Sequence, residues 1–334
     1  MSVWVETPGL LTTVQDLGRR GYQHLGVGPG GAMDPVSHRL ANLLVGNPPG
    51  AATLECTLAG PELRFEADAL IAICGADLNP TVDGIPLPLW RPILMRAGVE
   101  LRMGPALRGC RCYLALAGGF QVPRLMGSAS THLAAGFGGF LGRGLKAGDR
   151  LDAGPAPPSS YPGLRRRFHR SDAAFLALDW FPPWYRELEF TRPATLRLIP
   201  GAHWEALTPA ARHTLLTAEF QVAPASDRMG IRLAGPRLAL DHSLEPISAG
   251  VATGTLQLPP DGAPILLMAD RQTTGGYPRI GELATVDLPR AAQLGPGESL
   301  QFARTDLGAA QEGYLQREAR FRDLERALEE RRNR

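Results

Sequence analysis

The apolar residues of this chain come in short runs, and glycine- or proline-containing turns cut the runs off. Residues 70–74 (LIAIC), 112–117 (CYLALA), 196–199 (LRLI) and 265–268 (ILLM) all have strand length. Turn signals lie between them: Val82-Asp83-Gly84, Gly118-Gly119, Pro200-Gly201 and Asp261-Gly262. With 39 Gly and 30 Pro spread over 334 residues, long amphipathic helices have little room. Many short strands with closely spaced turns predict barrels or sandwiches and not a wound α/β sheet. The chain exceeds the roughly 250–300 residues at which one core stops growing, so two domains are expected.

Two helices stand out from this pattern. Residues 34–44 (DPVSHRLANLL) place Asp34 as N-cap and Pro35 at the first helical position. In residues 309–334, Tyr314, Phe321, Leu324 and Leu328 form one apolar stripe among Arg and Glu, which predicts a solvated helix docked by one face. Three short matches recur in the same order along the chain: LAGPEL at 58–63 with LAGPRL at 233–238, VDG at 82–84 with PDG at 260–262, and AGVEL at 97–101 with PGESL at 296–300. They favour duplication of one β module. Between the copies, residues 153–170 (AGPAPPSSYPGLRRRFHR) read as a linker or exposed loop. The expected division is a β half over 1–152, a linker over 153–190, a second β half over 191–308 and a helix over 309–334.

A formal net charge of +2 argues against a basic field for nucleic acid or membrane surfaces. The N-terminus lacks a basic and then apolar leader, and no uncharged apolar run approaches a membrane span of about 20 residues, so a cytoplasmic location is expected. Cys56, Cys74, Cys110 and Cys112 lack CxxC spacing and read as reduced core cysteines. The seven His are scattered without H-x-x-x-H, so no metal site is expected. Gly26-Val27-Gly28-Pro29-Gly30-Gly31 fits G-x-G-x-x-G only formally, because no strand-turn-helix unit surrounds it. Neither a P-loop nor a G-x-S-x-G elbow occurs, and the hydroxyls of residues 127–131 (GSAST) have no His or acid tied to them by pattern.

Polar residues in Gly-rich settings mark where chemistry is expected. The clearest case is residues 269–278 (ADRQTTGGYP), directly after the run ILLM. A strand end fixes position, the glycine pair admits close approach of a ligand, and Arg271 and Gln272 supply planar, directional donors for a carboxylate, phosphate or carbonyl. Asp270 then orients Arg271 or acts as a base, Thr273 adds a hydroxyl, and Tyr277 closes the pocket. The competing reading is a turn in which Asp270 and Arg271 pair with each other. Gln15 and Arg19 (in VQDLGRRG), Arg228 (in SDRMG) and Gln257 (in GTLQLPPDG) rank as further binders. For Arg19 and Arg228, internal pairing with Asp16 and Asp227 is an equal alternative.

At these segments the chain resembles the allophanate hydrolase subunit 2 family, also called the 5-oxoprolinase C-subunit family or the biotin-dependent carboxyltransferase family. The resemblance is carried by TTVQDLGRRGYQHLGVGPGGAMD, LECTLAGPELRF, GGFLGRGLKAGD, ASDRMGIRLAGP and SAGVATGTLQLPPDGAPILLMADRQTTGGYPRIG, and it extends from Thr12 to Phe302. Gly30 stands where the family usually has Ser, which puts any role for that hydroxyl in doubt. The resemblance implies two tandem cyclophilin-like β-barrel halves with short helices, mainly β in class. It implies partner subunits A and B of a 5-oxoprolinase that opens 5-oxoproline to glutamate at the expense of ATP. It leaves two rivals: a carboxyltransferase acting on urea or another amide, and a binder of a kinase inhibitor related to the B partner. The chain has no A-M-K-M carrier sequence and no ATP-grasp segment, so ATP is expected at the level of the complex, and any biotin on another protein.

Overall fold

The apolar runs become strands: Ala69–Asp77, Arg108–Leu116, Ala194–Pro200 and Ile265–Leu267 each take up one of them. The computed structural model describes residues 1–156, 161–188 and 190–332, and the chain in it is mainly β. It divides into two units. One comprises Met1–Gly18, Asp34–Leu188 and Arg320–Arg334, and the other Arg19–Met33 and Glu189–Ala319.

The first unit contains a seven-stranded and a six-stranded sheet. Val3, Val5, Leu63 and Leu151 of the first sheet share one core with Leu54, Ile71, Ile73 and Leu114 of the second. Leu70, Ala72 and Cys74, on the opposite face of Ala69–Asp77, are also buried, because helix Pro35–Leu44 packs on that side. A strand covered on both faces explains why LIAIC shows no alternation. Asp34 caps this helix as expected, its Oδ1 accepting from the N–H groups of Val36 and Ser37 at 3.0 Å each. The Tyr113 hydroxyl accepts from the Asp34 N–H at 2.8 Å and donates to Glu55 Oε2 at 2.7 Å, in a fully buried setting. Tyr113→Phe removes both of these hydrogen bonds from a buried setting, and is expected to lower unfolding free energy by about 1–3 kcal/mol in urea titrations.

His38, on the same helix, is fully buried between Thr53 and Asn42. Burial drives its imidazole down to about 4, against the opposing pull of Asp16 and Glu55 and with a smaller contribution from Arg39. The unfolded chain, titrating near 6.5, therefore takes the proton first as pH falls. Stability that depends on neutral His38 is complete above pH 6.5 and is lost on acidification towards pH 4, by about 3 kcal/mol in all. His38→Gln is expected to flatten that acid limb in urea midpoints measured from pH 7 to 4.

The stretch read as a linker is partly built into the first unit, which corrects the expectation. Phe175–Ala177 adds an edge strand to Ile93–Met95, helix Pro162–His169 buries Leu164 and Phe168, and Tyr161 and Trp184 are buried. The Pro, Ser and Arg content concealed a few anchoring apolar side chains. Residues 157–160 of that stretch lie outside the described residues.

The second unit is a closed barrel of seven strands, Ala194–Pro200, Arg279–Leu283, Thr255–Gln257, Ile265–Leu267, Gly230–Ala234, Phe220–Val222 and Ser299–Arg304, the last pairing in parallel with the first. Leu196, Leu256, Leu266, Ile280 and Phe302 fill it, and Met33 from residues 19–33 joins the same core. Of the three repeat matches, two share local geometry. Gly84 and Gly262 both have φ of 76°, while Gly98 (79°) and Gly297 (83°) each lead into a strand. The LAGP match does not, since Leu63 lies within Glu62–Phe65 and Leu238 lies beyond Gly230–Ala234. The C-terminal helix runs Leu307–Arg332. In the first unit it docks through Phe321, Leu324 and Leu328, with the Trp184 ring 4.3 Å from that of Phe321 and the Arg39 guanidinium 3.8 Å above it. Tyr314, the first residue of the expected stripe, is 41% exposed.

Candidate functional site

Two adjacent residues at the end of strand Ile265–Leu267, Asp270 and Arg271, serve different groups. The Asp270 carboxylate is buried and holds Arg228 in a two-pronged pair, Nε to Oδ2 at 2.8 Å and Nη2 to Oδ1 at 2.9 Å. Arg228 Nη2 also donates to the Gly31 carbonyl at 2.6 Å, and the Gly30 N–H donates to the Ala269 carbonyl at 3.2 Å. The pair therefore fastens residues 19–33 to the barrel. The expected partnerships change accordingly: Asp270 engages Arg228, so it neither orients Arg271 nor stands free as a base, and Arg228 pairs with Asp270 instead of Asp227. Arg19 is fully buried in the same cluster. A Cβ on Gly30 would sit 3.1 Å from Arg19 Nη1 and 3.6 Å from Asp270 Oδ1, at a φ of 62°. Glycine is suited to this close, left-handed position.

Arg271 belongs to a second group on the outer face of the barrel. On strand Thr255–Gln257, Leu256 points into the core, so Thr255 and Gln257 face outward. Both are nonetheless buried, at 0% and 1% exposure. Thr255 lies opposite Glu282 on strand Arg279–Leu283 and donates its hydroxyl to Glu282 Oε2 at 2.8 Å. Gln257 Oε1 accepts from Gln272 Nε2 at 3.3 Å, while Gln257 Nε2 has no partner among the described residues. Arg271 is 4% exposed, and its Nε and Nη1 have no acceptor among the described residues. Burial pushes its guanidinium down, an effect countered by the Glu282 charge. Burial likewise raises the Glu282 carboxyl above the usual range, against Thr255, Arg279 and Arg271. The result is a polar strip of buried Thr255, Gln257 and Arg271 with half-buried Gln272 and Glu282, and with donor groups left over. Buried guanidinium and amide N–H groups without acceptors are costly, and a ligand with acceptor oxygens relieves that cost.

A two-stranded ribbon, Ala249–Gly250 with Thr274–Gly275, packs against the Gln257 and Gln272 amides. Gly275 packs so closely that a Cβ there would lie 2.3 Å from Gln257 Nε2. Gly275→Ala is therefore expected to swing the flexible Gln257 amide aside, at small cost in stability and with roughly tenfold weaker ligand binding in a titration. Thr273 anchors the ribbon through its carbonyl, which accepts from the Val251 N–H at 3.1 Å. Tyr277 does not close over the strip. It is 45% exposed and lines a separate groove of about 640 Å³ with His242, Glu245, Pro259 and Asp261.

Gln15 belongs to the first unit, where its Nε2 donates to Thr13 Oγ1 and the Thr131 carbonyl. Beside it, Asp16 accepts from the Ser128 and Ser130 hydroxyls and the Gly18 and Ala129 N–H groups at 2.5–2.8 Å. The two serine hydroxyls of GSAST thus cap an acid, while the Thr131 hydroxyl donates to the Val14 carbonyl at 2.9 Å. Glu282 and Thr255 escaped the sequence reading. Their trace is the alternation of polar with apolar residues in TLQ and RIGEL, which says that one face is polar without saying that it is covered. Among the described residues, no three His, Cys, Asp or Glu are grouped so as to hold a metal ion, and no helix is long and apolar enough to cross a membrane. All four cysteines are free and buried.

Residues 25–304 match the family described as carboxyltransferase domain, subdomain A and B. The chain is 35% identical over 316 residues to the C subunit of 5-oxoprolinase from Escherichia coli K12, covering 95% of each. It is 32% identical over 318 residues to the C subunit of 5-oxoprolinase from Haemophilus influenzae, covering 95% of this chain and 96% of that one. The crystal structure of K. lactis urea amidolyase superposes with a TM-score of 0.80 at 30% identity, over 93% of this chain and 19% of that much longer one.

Proposed function

Because the chain belongs to the carboxyltransferase domain family, subdomains A and B, we propose that it acts as the C subunit of an ATP-dependent 5-oxoprolinase and that the Arg271 strip holds the substrate. The reading draws on the likeness to two 5-oxoprolinase C subunits over nearly their whole length. One observation carries the placement: an arginine at 4% exposure with two side-chain N–H groups lacking acceptors among the described residues. An anionic ligand compensates a buried cation in a way that a neutral one does not. 5-Oxoproline carries a carboxylate, whereas urea does not, and this favours oxoproline chemistry over urea carboxylation at this site. Arg271 receives the carboxylate through a planar pair of N–H groups, and Gln257 Nε2 donates to the ring carbonyl.

The strip does not fit a triphosphate, because it offers one guanidinium and no nest of backbone N–H groups for several negative charges. ATP is therefore assigned to partner subunits A and B. A ureido ring such as that of biotin lacks the anion that Arg271 calls for. The proposal is tested by reconstitution. Subunits A and B with ATP and 5-oxoproline are expected to yield glutamate only when this chain is added, and equal glutamate without it overturns the assignment.

A further inference from the structure

We propose that Glu282 is a specificity-determining residue, the hydrogen-bond acceptor that restricts this site to ligands bearing an N–H beside their carbonyl on one edge, as a five-membered lactam does. The inference rests on the reading of the strip as the ligand site. Arg271 and Gln257 offer donors, and a site of donors alone accepts any compact anion. Glu282 is the exception. Thr255 is the one hydrogen-bond donor to its carboxylate among the described residues, at Oε2, and a carboxylate has about four acceptor positions. The half-buried carboxylate lies on the strand paired with Thr255–Gln257, so acceptor and amide donor sit on neighbouring strands of one covered face.

The geometry selects the class of amide. An open secondary amide is trans, with N–H and C=O pointing in opposite directions. Ring closure in a lactam forces the cis form and turns both towards the same side. Such an edge meets Gln257 Nε2 with its oxygen and Glu282 with its N–H, while a carboxylate on the ring reaches Arg271. The raised affinity of Glu282 for protons, caused by burial and opposed by Thr255, Arg279 and Arg271, accords with a carboxylate short of donors until a ligand arrives.

The test compares 5-oxoproline with its lactone isostere, 5-oxotetrahydrofuran-2-carboxylate, in which ring oxygen replaces N–H. Binding of both is measured on the complex assembled with subunits A and B, without ATP. The intact site is expected to prefer the lactam by at least about tenfold, because the lactone sets a lone pair against a carboxylate. In Glu282→Leu and Glu282→Ala the preference is expected to collapse to within about twofold. Both ligands report on the same folded molecules, so the ratio is insensitive to any loss of folded protein. An unchanged ratio in the variants overturns the role of Glu282 even where Arg271→Ala abolishes binding. Undiminished binding in Arg271→Ala overturns the strip as the ligand site.

Discussion

Asp270→Ala is expected to lower the unfolding free energy by about 3–5 kcal/mol, the largest stability effect of any single change discussed for this chain. The reason is what remains. Arg228 and Asp270 have side-chain exposures of 5% and 3%, so removing the carboxylate leaves a guanidinium buried without the two-pronged charged partner that it has in the wild type. The loss spreads to residues 19–33, whose attachment runs through that same guanidinium and the Gly30–Ala269 bond. Exposed Arg20 becomes the reporter, and faster tryptic cleavage there is expected alongside the lowered denaturation midpoint. The double variant Asp270→Leu with Arg228→Leu is expected to be less destabilised than the sum of the singles, because neither charge is then orphaned. A loss below about 1 kcal/mol in Asp270→Ala shows that the pair does not fasten the segment.

Arg271→Ala is expected to behave in the opposite way. It removes a buried cation whose Nε and Nη1 have no acceptor among the described residues, so stability is expected to hold or rise. Its cost falls on the ligand. A paired charge-assisted contact to a carboxylate contributes about 1.5–3 kcal/mol, so kcat/KM of the assembled complex is expected to drop roughly tenfold to a hundredfold. Arg271→Lys restores charge without the planar fork, and is expected to recover only part of that loss. On the proposed reading, neighbouring residues of one loop separate folding from function, Asp270 on one side and Arg271 on the other.

Much of the fold was legible because its signals are local. Strand-length runs, the Asp34 cap before Pro35 and the stripe through Phe321 and Leu328 each depend on a few consecutive residues. The candidate site was legible in part for the same reason: Arg271, Gln272 and Gln257 sit beside glycines and strand ends, where a ligand can approach. What escaped was long-range. Nothing in SDRMG and ADRQTTGGYP says that Arg228 and Asp270 will pair across 42 positions, and the pairing removes Asp270 from the chemistry assigned to it. Residues 19–33 belong to the second unit, although the sequence puts them deep in the first half. Glu282 was invisible because the outer face of a barrel is ordinarily wet, and only its half-buried setting beside Thr255 makes a carboxylate there exceptional. The Pro, Ser and Arg content of residues 153–170 pointed to a linker, yet four apolar anchors, Tyr161, Leu164, Phe168 and Trp184, suffice to seat much of the wider 153–190 stretch in the first unit.

The most direct test is a calorimetric titration of 5-oxoproline into the complex assembled with wild-type chain and with Arg271→Ala, with thermal unfolding recorded for both. Saturable binding is expected for the wild type, and binding at least about tenfold weaker for the variant at an unchanged or raised melting temperature. Equal affinity in the two complexes contradicts the assignment of Arg271 to the ligand.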